Sequence, residues 1–396
     1  MRPYRNRWLI CVSPMDMNST RRPRILLVAG DTSGDIHCAL LARELKRRHP
    51  EWLLFAAGGE HLKAAGCEII APTGGLGVIG FASVLAILPR VLRAWRQVLE
   101  WLRLEKPDAV VLCDWGAFNA RLLPTLRELN IRSLYYFPPR SWQKSGERGL
   151  TVAPLADRIA TPFEWSARRL NEAGGRATWV GHPLLEIVGA APDREETRCS
   201  LGLSQSQVLV ALLPGSRDLE LKLIGPAMQG AARIIQSRRR DVRFVSVVPR
   251  GSKARAQKYL SGIEVREGEA AAILKACDAA LVKSGTATLE AAVADAPQVV
   301  AYDVPPIVRA QWLLMSRKAS HVAMPNIILE RALVPEMLGL RCNPHDLARE
   351  LELLLDDSKR REEMRAGYRE VRGALGEGLS VGATSGTINL LEELLG

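Results

Sequence analysis

The chain has 396 residues, which at roughly 150 residues per domain predicts about two to three domains and rules out a single small binding module. Apolar residues make up 47% and charged residues 24%, close to the averages of soluble globular chains, so disorder and fibrous structure are excluded. Lys and Arg total 54 against 43 Asp and Glu, a net charge of +11, which favours anionic partners: phosphorylated ligands, an anionic membrane surface or nucleic acid.

Residues 1–22 read as a basic, flexible arm. The apolar run from Trp8 to Val12 is too short for a signal segment and is followed by Pro14 and Asp16, and Met15 or Met17 would serve equally well as the start. No stretch reaches the ~18 uninterrupted apolar residues of a spanning helix, so any membrane contact is expected to be peripheral. Seven cysteines (Cys11, Cys38, Cys67, Cys113, Cys199, Cys277, Cys342) are scattered without a C-x-x-C. That pattern indicates neither a disulfide framework nor a zinc site and fits a reducing cytoplasm.

From Arg24 onward short β-branched runs alternate with longer helical stretches. Ile25–Ala29 reads as a buried strand; a turn over residues 30–34 opens a helix through Ala39, Leu41 and Leu45; Leu53–Ala57 is the next strand. Ala109–Cys113, Ser133–Tyr136 and Arg158–Ala160 follow. Continuous apolar runs separated by helices predict a parallel sheet covered on both faces. A second series begins after the polar segment Gly189–Ser206, with strands at Val208–Leu213, Phe244–Val248, Ala279–Val282 and Val299–Tyr302. The expected fold is therefore α/β, two doubly wound halves over residues 23–190 and 191–396 that face each other across a cleft. A ligand between them would meet the carboxyl ends of both sheets. The tail beyond Pro344 is predicted to be helical, with the charges of Lys359–Glu363 on a solvated face.

Gly75, Gly77 and Gly80 spell G-x-G-x-x-G, but a dinucleotide fingerprint follows the first strand of its unit and needs an acid at the end of the next strand. Here the first strand runs into Asp31–Asp35, and Glu100 sits inside a helical stretch, so nicotinamide binding is not expected. The segment Val78–Leu102 interleaves Phe81, Leu85, Ile87, Leu88, Val91, Leu92, Trp95 and Trp101 with Arg90, Arg93, Arg96 and Arg103. Two readings stand side by side: a surface that dips into a lipid leaflet while its arginines meet phosphates, and a core helix with snorkelling arginines.

Two strand-turn-helix junctions in the second half suit an anion. In Leu212–Arg217 the Gly215-Ser216 turn lets backbone N–H groups approach a phosphate, and Arg217 adds a charge-assisted contact. In Val282–Glu290, Ser284, Gly285, Thr286 and Thr288 cluster with Lys283 at a helix start, where the dipole favours a diphosphate. Glu290, one turn inside, can accept hydrogen bonds from ribose hydroxyls. Two such turns without G-x-x-x-x-G-K-[ST] point to a nucleotide-diphosphate site that is not a P-loop.

With these pieces in place, the chain resembles the lipid-A-disaccharide synthase family, glycosyltransferases of the two-Rossmann (GT-B) type. The matching stretches are Ala29–Asp35, Cys113–Asn119, Pro162–Glu164, Val180–Pro183, Leu213–Arg217, Ser284–Glu290, Met324–Ile327 and Val334–Glu336, in the family's order. The resemblance implies inverting transfer of 2,3-diacylglucosamine from its UDP donor to 2,3-diacylglucosamine 1-phosphate, without metal or cofactor. It places Asn326 with Gly215–Arg217 and the 284–290 turn on the donor side, and Ser33, Gly34 and Asn119 on the acceptor side, where Phe81 and Trp95 of the apolar segment are the lipid-side candidates. Asp114 is the first candidate for the base or acceptor-orienting group and Asp35 the second. His182 is expected to be a structural or hinge residue. The first half departs from the family's usual pattern at Asp31, at Gly116-Ala117 and over Pro139–Lys144, and Gly339 departs in the second. The partners implied are the two acylated sugars and the anionic inner face of the cytoplasmic membrane, with a homodimer left open and no nucleic acid. A UDP-sugar 2-epimerase-like isomerase and an inactive nucleotide-sugar-binding relative remain as alternatives.

Overall fold

A computed structural model describes residues 22–74, 76, 81–147, 149–305 and 321–396, with the side chains of residues 81–86 left out. The basic arm up to residue 21, the glycines at 75, 77 and 80, and the side chain of Phe81 lie outside the described residues.

The elements of the first series are β1 (Arg24–Ala29), α1 (Thr32–Arg48), β2 (Leu53–Gly58), α2 (Glu60–Ala64), β3 (Glu68–Pro72), α3 (Phe81–Glu105), β4 (Ala109–Cys113), α4 (Gly116–Glu128), β5 (Arg132–Tyr136), β6 (Arg158–Thr161), α5 (Glu164–Glu172) and β7 (Ala177–Trp179). They form a seven-stranded sheet in the order β3-β2-β1-β4-β5-β6-β7. The second series contains α6 (Leu184–Gly189), α7 (Arg194–Ser200), β8 (Val208–Leu213), α8 (Asp218–Arg238), β9 (Val242–Val248), α9 (Lys253–Gln257), β10 (Glu264–Glu267), α10 (Ala270–Ala276), β11 (Ala279–Lys283), α11 (Thr286–Val293) and β12 (Gln298–Tyr302). It closes with α12 (Met324–Leu329), β13 (Glu336–Leu338), α13 (Pro344–Asp356), α14 (Ser358–Ala374) and α15 (Ala383–Leu395). Its six strands run β10-β9-β8-β11-β12-β13, every neighbouring pair parallel. The chain divides into two compact units, residues 1–134 with 391–396, and residues 135–390.

In each sheet the first strand lies in the interior, third from one edge. β1 pairs in parallel with β2 on one side and β4 on the other, and β8 likewise lies between β9 and β11. Such strands have helices on both faces and no solvent side, so they read as unbroken apolar runs: Ile25 through Val28 and Leu209 through Leu212 are fully buried. The order of the strands reverses between β1 and β4 in one sheet and between β8 and β11 in the other. A doubly wound sheet opens its ligand crevice at that reversal, outside the carboxyl ends of the two strands.

The helices are set by local chemistry as expected. Asp31 caps α1 by accepting from the Gly34 N–H at 2.7 Å, and Lys46, Arg47 and Arg48 complement the dipole in its last turn. The predicted tail forms α13 and α14: Asn343 caps α13, Pro344 takes its first turn, and Leu347, Leu351 and Leu354 are buried. A Cβ on Gly230 of α8 would come within 2.7 Å of the Pro344 ring, so glycine is what lets α13 approach that closely. Lys359 and Glu363 are exposed.

Candidate active site

Both predicted anion turns lie at the reversal point of the second sheet, one after β8 and one after β11. In the first, Gly215 adopts φ +115°, a conformation that disfavours any side chain. A Cβ there would also meet the Glu220 carboxylate at 2.5 Å. Glu220, unmarked in the sequence reading, ties the two turns together. One of its oxygens accepts from the N–H groups of Ser216 at 2.9 Å and Arg217 at 3.2 Å; the other meets the Arg217 guanidinium at 3.3 Å and the Lys283 ammonium at 2.8 Å. Burial opposes its ionisation, but Lys283 and the turn N–H groups outweigh that and hold its pKa below the ordinary value. The ammonium of Lys283 also stands 3.4 Å from where a Gly285 Cβ would be. Two cations thus converge on the pair of turns, neutralised in part by a single carboxylate.

The second turn divides the predicted ligand groups into those already engaged and those still open. Ser284 donates to the Val322 carbonyl at 2.8 Å, and Thr288, fully buried, donates to Gly285 and accepts from the Met324 N–H at 3.0 Å. Both hydroxyls therefore shape the turn and fasten α12 to α11. Asn326, expected at the donor, is buried with its whole amide spent inside the protein. It donates to the Val334 carbonyl and the Glu336 carboxylate at 2.9 Å each and accepts from Leu333 and Val334 at 2.8 Å each. The same Glu336 oxygen accepts from the Val322 and Ala323 N–H groups. These contacts brace the second turn, and the Asn326 amide has no donor or acceptor left for a ligand. Thr286, by contrast, is exposed at the start of α11.

Glu290 differs from all of these. Its carboxylate has no hydrogen bond or ion pair with any described residue, and loss of water alone pushes its pKa up to about 7 from an ordinary 4.5. A half-buried carboxylate without a partner costs stability and persists only where something else satisfies it.

The first sheet carries its own acidic groups at the reversal point. Asp35, buried, accepts from the Gly59 N–H at 2.7 Å and the His61 N–H at 2.9 Å. It therefore anchors the turn after β2 and caps the adjoining helix with both oxygens. Asp114 ends β4 with φ +46°, and Trp115 follows at φ +40°, so two side-chain-bearing residues in succession take the left-handed conformation. Asp114 is open to solvent on one side yet crowded by protein on the others; that crowding, reinforced by the nearby Asp31 carboxylate, pushes its pKa up to about 7. Asn119 is buried and donates its amide to the carbonyls of Cys113 at 3.1 Å and Asp114 at 2.9 Å, so it braces the turn. Ser33 and Gly34 form the first turn of α1 over Asp31. His182 accepts the Leu184 N–H on Nδ1, and its own N–H bonds the Leu375 carbonyl at 2.8 Å: a structural turn, as expected.

Helix α3 is buried along one face and exposed elsewhere. Ala94, Val98 and Leu102 are buried along one face, and the Trp95 ring meets Phe118 edge-on at 5.0 Å. Outside that face Leu88 (41%) and Leu92 (47%) are exposed, as are Arg90, Arg93 and Arg96. No described helix is long and apolar enough to cross a membrane. The described cysteines are free thiols.

Two doubly wound units of this Rossmann strand order in one chain are the architecture of the GT-B class of folds. The fold likeness is direct: the co-structure of MnaA from S. aureus with UDP superposes with a TM-score of 0.63 at 17% identity over 94% of this chain and 97% of that one. MurG from Acinetobacter baumannii gives 0.55 at 14%, over 94% and 99%. A family model for lipid-A-disaccharide synthetase matches residues 25–381. The lipid-A-disaccharide synthase of Anaeromyxobacter dehalogenans is 37% identical over 384 residues, covering 94% of this chain and 97% of its own. That of Pseudomonas syringae is 34% identical over 375 residues, covering 93% and 97%. The chain belongs to the lipid-A-disaccharide synthase family of glycosyltransferases.

Proposed function

We propose that the chain is an inverting hexosyltransferase that moves 2,3-diacylglucosamine from UDP to 2,3-diacylglucosamine 1-phosphate, forming the disaccharide 1-phosphate and releasing UDP. The observation that carries the reading is the pair of turns joined through Glu220, where the Arg217 guanidinium and the Lys283 ammonium converge, followed one turn into α11 by Glu290, whose carboxylate has no partner among the described residues: a combination suited to a diphosphate and its ribose. In this scheme Glu290 accepts the ribose hydrogen bonds. The Gly215–Arg217 and Gly285–Thr286 turns receive the diphosphate, with Ser284, Thr288 and Asn326 holding the second turn in shape. An acceptor hydroxyl attacks the anomeric carbon from the face opposite the diphosphate; the bond to the diphosphate oxygen breaks, and the charge left on UDP is met by Arg217 and Lys283. Asp114 takes the hydroxyl proton, favoured over Asp35, whose oxygens are both engaged. A pKa near 7 matches a base working at neutral pH.

The exposed Leu88 and Leu92 among arginines support docking of α3 on the anionic inner face of the cytoplasmic membrane, where both acylated sugars reside. Incubation of the protein with the UDP donor and the 1-phosphate acceptor, followed by mass spectrometry, tests the whole scheme. Disaccharide and UDP formed together support it. Conversion of the UDP-sugar without acceptor would favour an isomerase, and binding without turnover an inactive relative.

A further inference from the structure

The two left-handed residues at the end of β4 have a mechanical explanation that involves three elements. A Cβ built on Gly30 would lie 2.0–2.3 Å from Cδ2, Cε2 and Cγ of Trp115. These atoms surround the ring fusion, where the indole has no free edge, so Gly30 presses on a ring face. Phe118 stacks on the same indole at 3.9 Å and 6°; two groups cannot share one face at that spacing, so it covers the other. The indole is thus clamped between the turn after β1 and the first turn of α4. Below it, the Trp115 carbonyl accepts from the Phe118 and Asn119 N–H groups, and the Asn119 amide holds the Cys113 and Asp114 carbonyls. Left-handed backbone at non-glycine residues persists only where the surroundings over-determine it, and such places cluster at functional sites.

We propose that Trp115 is a positioning residue for Asp114: the clamped indole locks the left-handed turn and so fixes the direction in which the Asp114 carboxylate leaves the end of β4. The inference rests on the reading of Asp114 as the base. Gly30 is then glycine because of the clamp: its own φ is outside the left-handed region, and the three atoms nearest to a Cβ there all belong to the indole.

The test is a double-mutant cycle read in steady-state transfer kinetics with UDP affinity measured separately. Trp115→Ala is expected to lower kcat by about 10–100-fold, the cost of misplacing a reacting group by about an ångström, with UDP affinity and the KM for the donor within about twofold. Trp115→Phe, which can still stack between Gly30 and Phe118, should recover most of kcat. Gly30→Ala should lower kcat alone but add nothing in the Trp115→Ala background, because the clash it creates is with the indole. Wild-type kcat in Trp115→Ala, multiplicative losses in the cycle, or a matching loss of UDP affinity would each overturn the proposal. Asp114→Asn measured alongside separates the two readings: full turnover there removes the base and the positioning role together, whereas an inactive Asp114→Asn with a fully active Trp115→Ala removes only the latter. If Trp115→Ala melts at the assay temperature, Trp115→Phe against Gly30→Ala decides: equal losses in both contradict the clamp.

Discussion

Replacing Glu290 by Gln keeps the shape of the side chain and removes its charge. The native carboxyl titrates near 7 instead of 4.5, so between these values the folded chain holds a proton that the unfolded chain releases. Its contribution to stability is fully present below about pH 4.5 and is lost as pH rises through 7. At about 1.4 kcal/mol per pH unit the cost of the ionised form is at most about 3.5 kcal/mol, and the water still reaching a half-buried side chain brings the expectation to about 1–2 kcal/mol. Urea unfolding should therefore find Glu290→Gln more stable than wild type by about that amount at pH 8.5 and equal to it at pH 4. The same substitution should weaken UDP by about 1.5–3 kcal/mol, the scale of hydrogen bonds to a charged acceptor. Because bound ribose favours the ionised carboxylate, UDP binding to wild type at pH 6.5 should release a proton, seen calorimetrically as heat that depends on the buffer. A stability gain equal at both pH values, or UDP affinity unaltered in the variant, would refute the assignment of Glu290 to the ribose.

Arg217→Ala should cost UDP about 1.5–3 kcal/mol while leaving uridine affinity nearly unchanged, since only the diphosphate is lost to it; calorimetry with both ligands decides. Asp114→Asn should lower kcat by about 10²–10⁴ with UDP affinity retained. In wild type, kcat should fall as pH drops through about 7, because a base must be ionised to act. Leu88→Glu together with Leu92→Glu should abolish sedimentation with anionic vesicles, and wild-type binding should weaken as salt rises; a wild type that never sediments at low salt counts against the α3 surface.

Much of the fold could be read from the chain because buried parallel strands leave an unmistakable trace: Ile25–Ala29 and Val208–Leu213 are apolar without interruption, and glycine-bearing turns follow both. The two anion turns were legible for the same reason, each being a short junction between a strand and a helix. What escaped was decided by partners distant in sequence or by directions that composition does not encode. Asp35 looks like a free acid in a turn until Gly59 and His61, more than twenty residues on, take both oxygens. Asn326 looks like a ligand residue until Val334 and Glu336 enclose it. Glu220 sits at the third position of a helix, where a glutamate is common as a cap, and nothing local says that Lys283 will reach it. The clamp on Trp115 joins residues 30, 115 and 118, and its only trace in the chain is a glycine that no backbone angle requires.

The interior position of β1 has a consequence for synthesis. The strand is made first, yet its two neighbours are β2, complete by residue 58, and β4, complete only at residue 113. Until the ribosome has delivered the latter, a strand that is apolar from Ile25 to Ala29 presents one row of unpaired backbone groups to whatever is nearby. Closing a contact across roughly 84 residues of intervening chain, from Ile25 to Ala109, is also slow. Fragments truncated between residues 58 and 109 should therefore precipitate, while those ending beyond β4 and its following helix α4 should be far easier to keep dispersed.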